Sequence, residues 1–311
     1  MAVSKASLKE KSSLANERAG LLYGLLGVFS FSLTLPATKF ALSSLSPLSV
    51  GLGRALVAAV LAALVLWIKR VPLPEKRQIK QIFIVSLGVV FGFPFFTAWA
   101  MERVPATHGA ILIALLPLAT AGAAAFYSGE RPSRMYWISS VIACLAILGY
   151  AFHSGIGALQ WADLALFAAV ISAGVGYAVG GELSRTMGGW QVISWSLVFA
   201  FPFLVFTVGG LLLHDLRTAS WPALLGFGYV SAVSQFLGFF PWYHGLAIGG
   251  VARVGQTQYL QPFLTIFASW LLLGEPITLG AIAAAAIVVL AVAKGRNAAI
   301  AQASPSRRLS R

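Results

Sequence analysis

The chain has 311 residues, of which 59% are hydrophobic and only 10% are Asp, Glu, Lys or Arg. Soluble domains carry about 25% charged residues, so this composition cannot clothe a water-facing surface and excludes a soluble globular fold. The formal charge of +13 is concentrated in the tails and between apolar runs, the placement of topology signals beside anionic lipid and not of a nucleic-acid-binding face.

The first 19 residues are polar, with Lys5, Lys9, Lys11 and Arg18, and lack the apolar core and small-residue cleavage site of a signal peptide. They are expected to be a cytoplasmic tail. Apolar runs of about 20 residues follow, each enough for a helix to cross about 30 Å of hydrocarbon. They predict ten spans, roughly at 20–41, 48–69, 80–101, 106–127, 135–153, 161–184, 190–213, 221–246, 251–273 and 277–294. Residues 295–311 are expected to form a second cytoplasmic tail. The expected fold is therefore an all-α integral membrane protein. With ten spans the termini share a side. Seventeen of the 22 Lys and Arg then fall in the tails and links on that side, against Arg103 and Arg217 in the opposite links. The positive-inside rule puts both termini in the cytoplasm, with the chain in the cytoplasmic (inner) membrane as a multi-pass protein.

Polar groups inside spans are expensive and mark either interhelical bonds or a site. Span one carries Ser30, Thr34 and Lys39. Span two carries Arg54, which could snorkel outward, pair with helix-end carbonyls or pair with Glu102; a structural charge is expected. Span three is aromatic, with Phe91, Phe93, Phe95, Phe96 and Trp99. Span six has Ser172, Gly174, Gly176 and Tyr177, and span eight has Gln235, Trp242, Tyr243 and His244. In span nine Gln258 and Gln261, three apart, share a helix face beside Tyr259. The candidate substrate contacts are Gln258, Tyr259, Gln261, Ser30, Thr34, Phe95, Trp99, Ser172, Tyr177, Gln235 and Trp242. Helix packing and interhelical hydrogen bonding are the competing roles. Carboxamides suit a zwitterion, since they bind ammonium and carboxylate without carrying charge.

Two stretches share a register. Pro117 precedes Gly129-Glu130, and Pro262 precedes Gly274-Glu275, with proline to glutamate 13 residues in each and the pairs offset by 145. Pro117 and Pro262 each remove a helix hydrogen bond and suit a gate or a kink. Glu130 and Glu275, at span ends, are expected to be structural charges in caps or ion pairs. The halves, 20–153 and 161–294, would each hold five helices, so the second copy would insert upside down. Two inverted five-helix repeats around a central cavity are the plan of secondary transporters.

The spans, the repeat and the proline–glutamate spacing resemble the drug/metabolite transporter superfamily. The stretch Ala252-Arg253-Val254-Gly255-Gln256-Thr257-Gln258-Tyr259-Leu260-Gln261-Pro262 is similar to the ninth helix of its ten-helix EamA-type branch. The resemblance implies export of amino acids, other small metabolites or drugs. It also implies a central cavity lined mainly by helices 1, 3, 4, 6, 8 and 9. Amides, hydroxyls and rings favour neutral or aromatic amino acids, with sugar phosphates, nucleotide sugars or drugs as the alternative substrates. A channel is the competing class. A membrane-embedded enzyme is disfavoured, since the chain has no H-E-x-x-H, G-x-S-x-G or P-loop motif. No Asp or Glu falls at mid-depth, which argues against a buried carboxylate proton relay. Cys144 is the only cysteine, so no thiolate metal cluster is expected, nor any cofactor. The expected partners are a small-molecule substrate and the lipid bilayer, with no nucleic acid, and the chain is expected to be monomeric.

Overall fold

The computed structural model describes residues 2–127, 133–151 and 160–295, and every regular element among them is helical. We label the helices α1 (Asn16–Ala41), α2 (Ser49–Ile68), α3 (Lys76–Met101), α4 (Ala106–Tyr127), α6 (Trp161–Met187), α7 (Gly189–Thr218) and α8 (Trp221–Gly249), seven that are long and apolar enough to cross a membrane. Arg134–Ala151 is α5 and Leu279–Gly295 is α10. Between α8 and α10 runs α9, made of Val251–Gly255, a 3-10 stretch Gln256–Leu260, and Gln261–Leu273.

The helix limits follow from local chemistry. Two helices begin at capping boxes, Glu75 with Gln78 for α3 and Gln160 with Asp163 for α6, which satisfy backbone donors left free in a first turn. Gly274 ends α9 in the left-handed region at φ 69°, a conformation that penalises any Cβ.

Several helices are irregular in the interior. Widened π-type turns occupy Ser49–Gly53 in α2, Ser86–Gly92 in α3, Val205–Gly209 in α7 and Tyr229–Leu237 in α8. The α4 helix breaks between Ile113 and Leu116, as α9 does over Gln256–Leu260. Pro117 and Pro262 each stand second in the helical segment that follows. A first-turn proline has no helix hydrogen bond to lose, so the breaks lie just before the prolines.

Small residues bring the helices close. A Cβ on Gly20 of α1 would stand 2.7 Å from Gly249 Cα of α8, and one on Gly245 would stand 2.8 Å from Gly20 O. The pairs Gly20/Gly24 and Gly245/Gly249 thus form two facing small-x-x-x-small patterns, the device by which apolar helices associate without a hydrophobic driving force. In the same way Gly88 and Gly92 of α3 leave room for Ser172 of α6. The outer surface is apolar, with Phe126 95% and Phe206 90% exposed, as a hydrocarbon solvent allows.

Polar ties gather at one end of the bundle. Glu275, after α9, accepts from Ala106 N and Thr107 N at 2.8 Å each and from the Thr107 hydroxyl. His108 Nε2 lies 2.6 Å from Asp163 Oδ1 with both side chains buried. Asp215 accepts from Ser46 N at 3.0 Å and from its hydroxyl at 2.7 Å. At the other end Arg253 pairs with Glu17.

Candidate functional site

Six helices meet around a small central cavity. Its wall is made by Phe31 and Thr34 of α1, Arg54 of α2, Val89 and Phe93 of α3, Tyr177 of α6, Ser234, Gln235 and Phe239 of α8, and Gln261 of α9. Helix α2 therefore contributes where α4 was expected, since no α4 residue is in this wall. The space left is about 10 Å³, room for about one water molecule, so a substrate can enter only if the walls move apart.

The widened turns shape this site. Arg54 follows the Ser49–Gly53 turn, Val89 lies in Ser86–Gly92, and Ser234 and Gln235 lie in Tyr229–Leu237. A π-type turn shifts hydrogen-bond register and leaves carbonyls available, a recurrent feature of functional sites. Gln235 uses one such carbonyl, donating Nε2–H to Val89 O at 2.8 Å. Thr34 Oγ1 and Ser234 Oγ are 2.8 Å apart and share a hydrogen bond. The aromatic side is a packed group. Tyr177 stacks on Phe31 at 6.2 Å between centroids and meets Phe239 at 6.0 Å and Trp242 at 5.2 Å.

Arg54 is 1% exposed and does not snorkel to a surface. Its guanidinium carbon lies 6.0 Å from the Phe93 centroid, and its Nε has no hydrogen-bond partner. No ion pair among the described residues includes it: Glu102 pairs with Arg103, Glu182 with Arg185, Glu17 with Arg253 and Asp163 with His108. Gln261 is buried with Oε1 unpartnered, and Gln258 is buried with neither amide atom bonded.

Of the residues singled out from sequence, Thr34, Tyr177, Gln235 and Gln261 come together on the cavity, with Arg54 among them. Trp242 is fully buried one layer behind, against Phe31 and Tyr177. Gln258 and Tyr259 are buried outside the lining, one turn nearer the start of α9. Ser30 bonds to Leu26 O and receives the Tyr229 hydroxyl on its carbonyl, away from the lining. Ser172 packs against Gly92 at the α3–α6 contact. Phe95 is 37% exposed, and Trp99 stacks under Arg103 at 3.8 Å, so neither ring reaches the cavity. Pro117 and Pro262 sit at the helix breaks, Glu275 caps α4, and Glu130 lies outside the described residues. Sequence reasoning missed Phe31, Val89, Phe93, Ser234 and Phe239 as lining. A signal existed, because Phe31/Thr34, Val89/Phe93 and Gln235/Phe239 are pairs three or four apart, each on one helix face.

The EamA-like transporter family matches residues 18–152 and 160–293. The chain is 41% identical over 283 residues to the uncharacterized transporter YdeK of Bacillus subtilis (strain 168), covering 89% of this chain and 97% of that protein. It is 26% identical over 261 residues to a probable terminal-alkyne amino-acid exporter of Streptantibioticus cattleyicolor, covering 81% of this chain and 84% of the relative. A solved crystal structure with 15% identity superposes with a TM-score of 0.64, covering 89% of this chain and 97% of that one, and so shares the fold. With the family matched over both halves of an all-helical, lipid-faced chain, this protein belongs to the EamA-like transporters and is a multi-pass membrane transporter, not an enzyme.

Proposed function

We propose that this transporter exports small metabolites, foremost neutral or aromatic amino acids, by alternating access between two inverted five-helix repeats. The observation that carries the substrate reading is the central cavity. Its lining combines two kinds of group: first the rings of Phe31, Phe93, Tyr177 and Phe239, and second a guanidinium, two carboxamides and the Thr34 and Ser234 hydroxyls. An apolar or aromatic side chain fits the first, and a zwitterionic head group the second. The S. cattleyicolor relative, named a probable terminal-alkyne amino-acid exporter, supports the class. A sugar phosphate would ask for two or more buried cations to meet its dianion, and the wall supplies Arg54 alone.

The repeat reading has further support. The family match falls on two consecutive stretches of the chain. Helix α4 breaks before Pro117 and α9 before Pro262, 145 residues on, and the widened turns at Ser86–Gly92 and Tyr229–Leu237 end at the same offset. In this reading all ten helices cross the bilayer, the second five in the opposite sense. Both termini lie in the cytoplasm, the membrane is the inner membrane, and the transporter acts as a monomer. The end tied by Glu275 and Asp163 then faces outward, and one end of the bundle must part for a substrate to enter so small a cavity.

Counterflow in proteoliposomes tests the reading. Preloaded phenylalanine or leucine should accelerate uptake of labelled amino acid, and this should persist when a protonophore abolishes the proton gradient. Trans-stimulation by sugar phosphates or nucleosides with none by amino acids would overturn the substrate class.

A further inference from the structure

A guanidinium buried among apolar side chains without an anion is costly, and more so at membrane depth. Proteins offset that cost with a carboxylate partner, contact with water, or a bound anion. Among the described residues Arg54 has no carboxylate partner, and it is shut off from bulk water. It is 1% exposed, is absent from every ion pair among the described residues, and leaves Nε unpartnered. The Phe93 ring centroid lies 6.0 Å from its guanidinium carbon. On the same cavity Gln261 Oε1 is buried without a donor.

From this juxtaposition we infer that Arg54 is the anchor for a substrate carboxylate and that Gln261 Oε1 receives the substrate's ammonium group, so that the cavity selects α-amino acids over the corresponding amines and amides. The inference rests on the reading of the central cavity as the transport site. A guanidinium offers a carboxylate two parallel N–H bonds in fixed geometry. One cation balances one carboxylate and leaves a phosphate dianion half neutralised. The ammonium then needs an acceptor with no charge of its own, which a carboxamide oxygen provides. Phe31, Phe93, Tyr177 and Phe239 remain to surround the side chain. The sequence alone favoured a structural charge for Arg54. A structural arginine would be expected to have a protein anion beside it, and Arg54 has none among the described residues.

The test is binding to the purified full-length protein, followed by ligand-induced thermal stabilisation. The four probes share one ring: phenylalanine, 3-phenylpropanoate, phenylalaninamide and phenethylamine. Phenylalanine should bind roughly ten- to a hundredfold more tightly than its amide, the effect of losing a hydrogen-bonded charge. Arg54→Gln should abolish that preference and Arg54→Lys should restore part of it. Gln261→Leu should weaken phenylalanine while leaving 3-phenylpropanoate unchanged. Without ligand, Arg54→Gln and Arg54→Met should melt at or above the wild type, because each removes an unpaired buried cation; a structural arginine would lower melting. Equal wild-type affinity for phenylalanine and its amide, or no stabilisation by either carboxylate, overturns the anchor without recourse to any variant. Arg54-dependent binding of 3-phenylpropanoate with no amino-acid counterflow would keep the anchor and remove the amino-acid reading. Amino-acid counterflow indifferent to Arg54→Gln would do the reverse.

Discussion

Removing the Glu275 carboxylate should loosen the end of the molecule where α4 begins. Glu275 follows α9, so an acid from the second half of the chain caps a helix in the first. Its two oxygens accept from Ala106 N and Thr107 N at 2.8 Å each, and the Thr107 hydroxyl donates to it as well. Loss of an N-terminal cap costs about 0.5–2 kcal/mol, and loss of a negative charge at the positive end of a helix about 0.3–1 kcal/mol more. If alternating access opens this end, the contact exists only in the closed arrangement. Its loss of about 1–3 kcal/mol then raises the open population roughly five- to 150-fold. The assay is the rate at which an impermeant thiol reagent labels Ser234→Cys in a Cys144→Ala background, since Ser234 is 5% exposed on the cavity. Glu275→Ala should speed labelling from outside by that factor. Glu275→Gln, which keeps one acceptor, should fall between it and the wild type. A rate within twofold of the wild type in a Glu275→Ala protein of normal melting would refute the latch.

Topology gives a second expectation: Thr218→Cys should label from outside intact cells, and Lys76→Cys only after permeabilisation, with the opposite pattern reversing the orientation. Gln258 and Gln261 should separate. Gln261→Ala should lower substrate affinity about tenfold, the loss of one hydrogen bond to a charged group. Gln258→Leu, which removes two buried unpartnered amide atoms, should raise the melting temperature with affinity unchanged; a fall in melting would show that Gln258 has partners. At the α1–α8 crossing, Gly20→Val should lower melting and surface abundance, because a Cβ there stands 2.7 Å from Gly249 Cα. Wild-type melting would show that the two backbones can part without loss.

The helix limits were legible in the sequence within a few residues. Expected spans at 48–69, 106–127 and 251–273 compare with Ser49–Ile68, Ala106–Tyr127 and an α9 that ends at Leu273. The breaks in α4 and α9 were marked by Pro117 and Pro262. Which side chains meet in the middle was less legible. In span three Phe95 and Trp99 were favoured, yet Phe93 and Val89 line the cavity. Val89 and Phe93, four apart, share a face that Phe95 and Trp99 do not, and in so apolar a span the local spacing does not say which face turns inward. Gln258 and Gln261 do lie a helical repeat apart, but the small cavity reaches only Gln261.

The sequence by itself determined that the chain is apolar beyond what water tolerates, where its helices begin and end, and which transporter family it resembles, because each of these depends on composition and local spacing. Tertiary structure alone decided that Arg54 turns inward unpaired, that Thr34 meets Ser234, and that α2 rather than α4 helps to wall the cavity. The reason is physical. A soluble helix declares its inner face by a stripe of apolar residues against a polar remainder. A helix with lipid on one side and protein on the other is apolar all round, and its orientation is set by contacts between residues far apart in the chain, as Thr34 and Ser234 are at 200 positions.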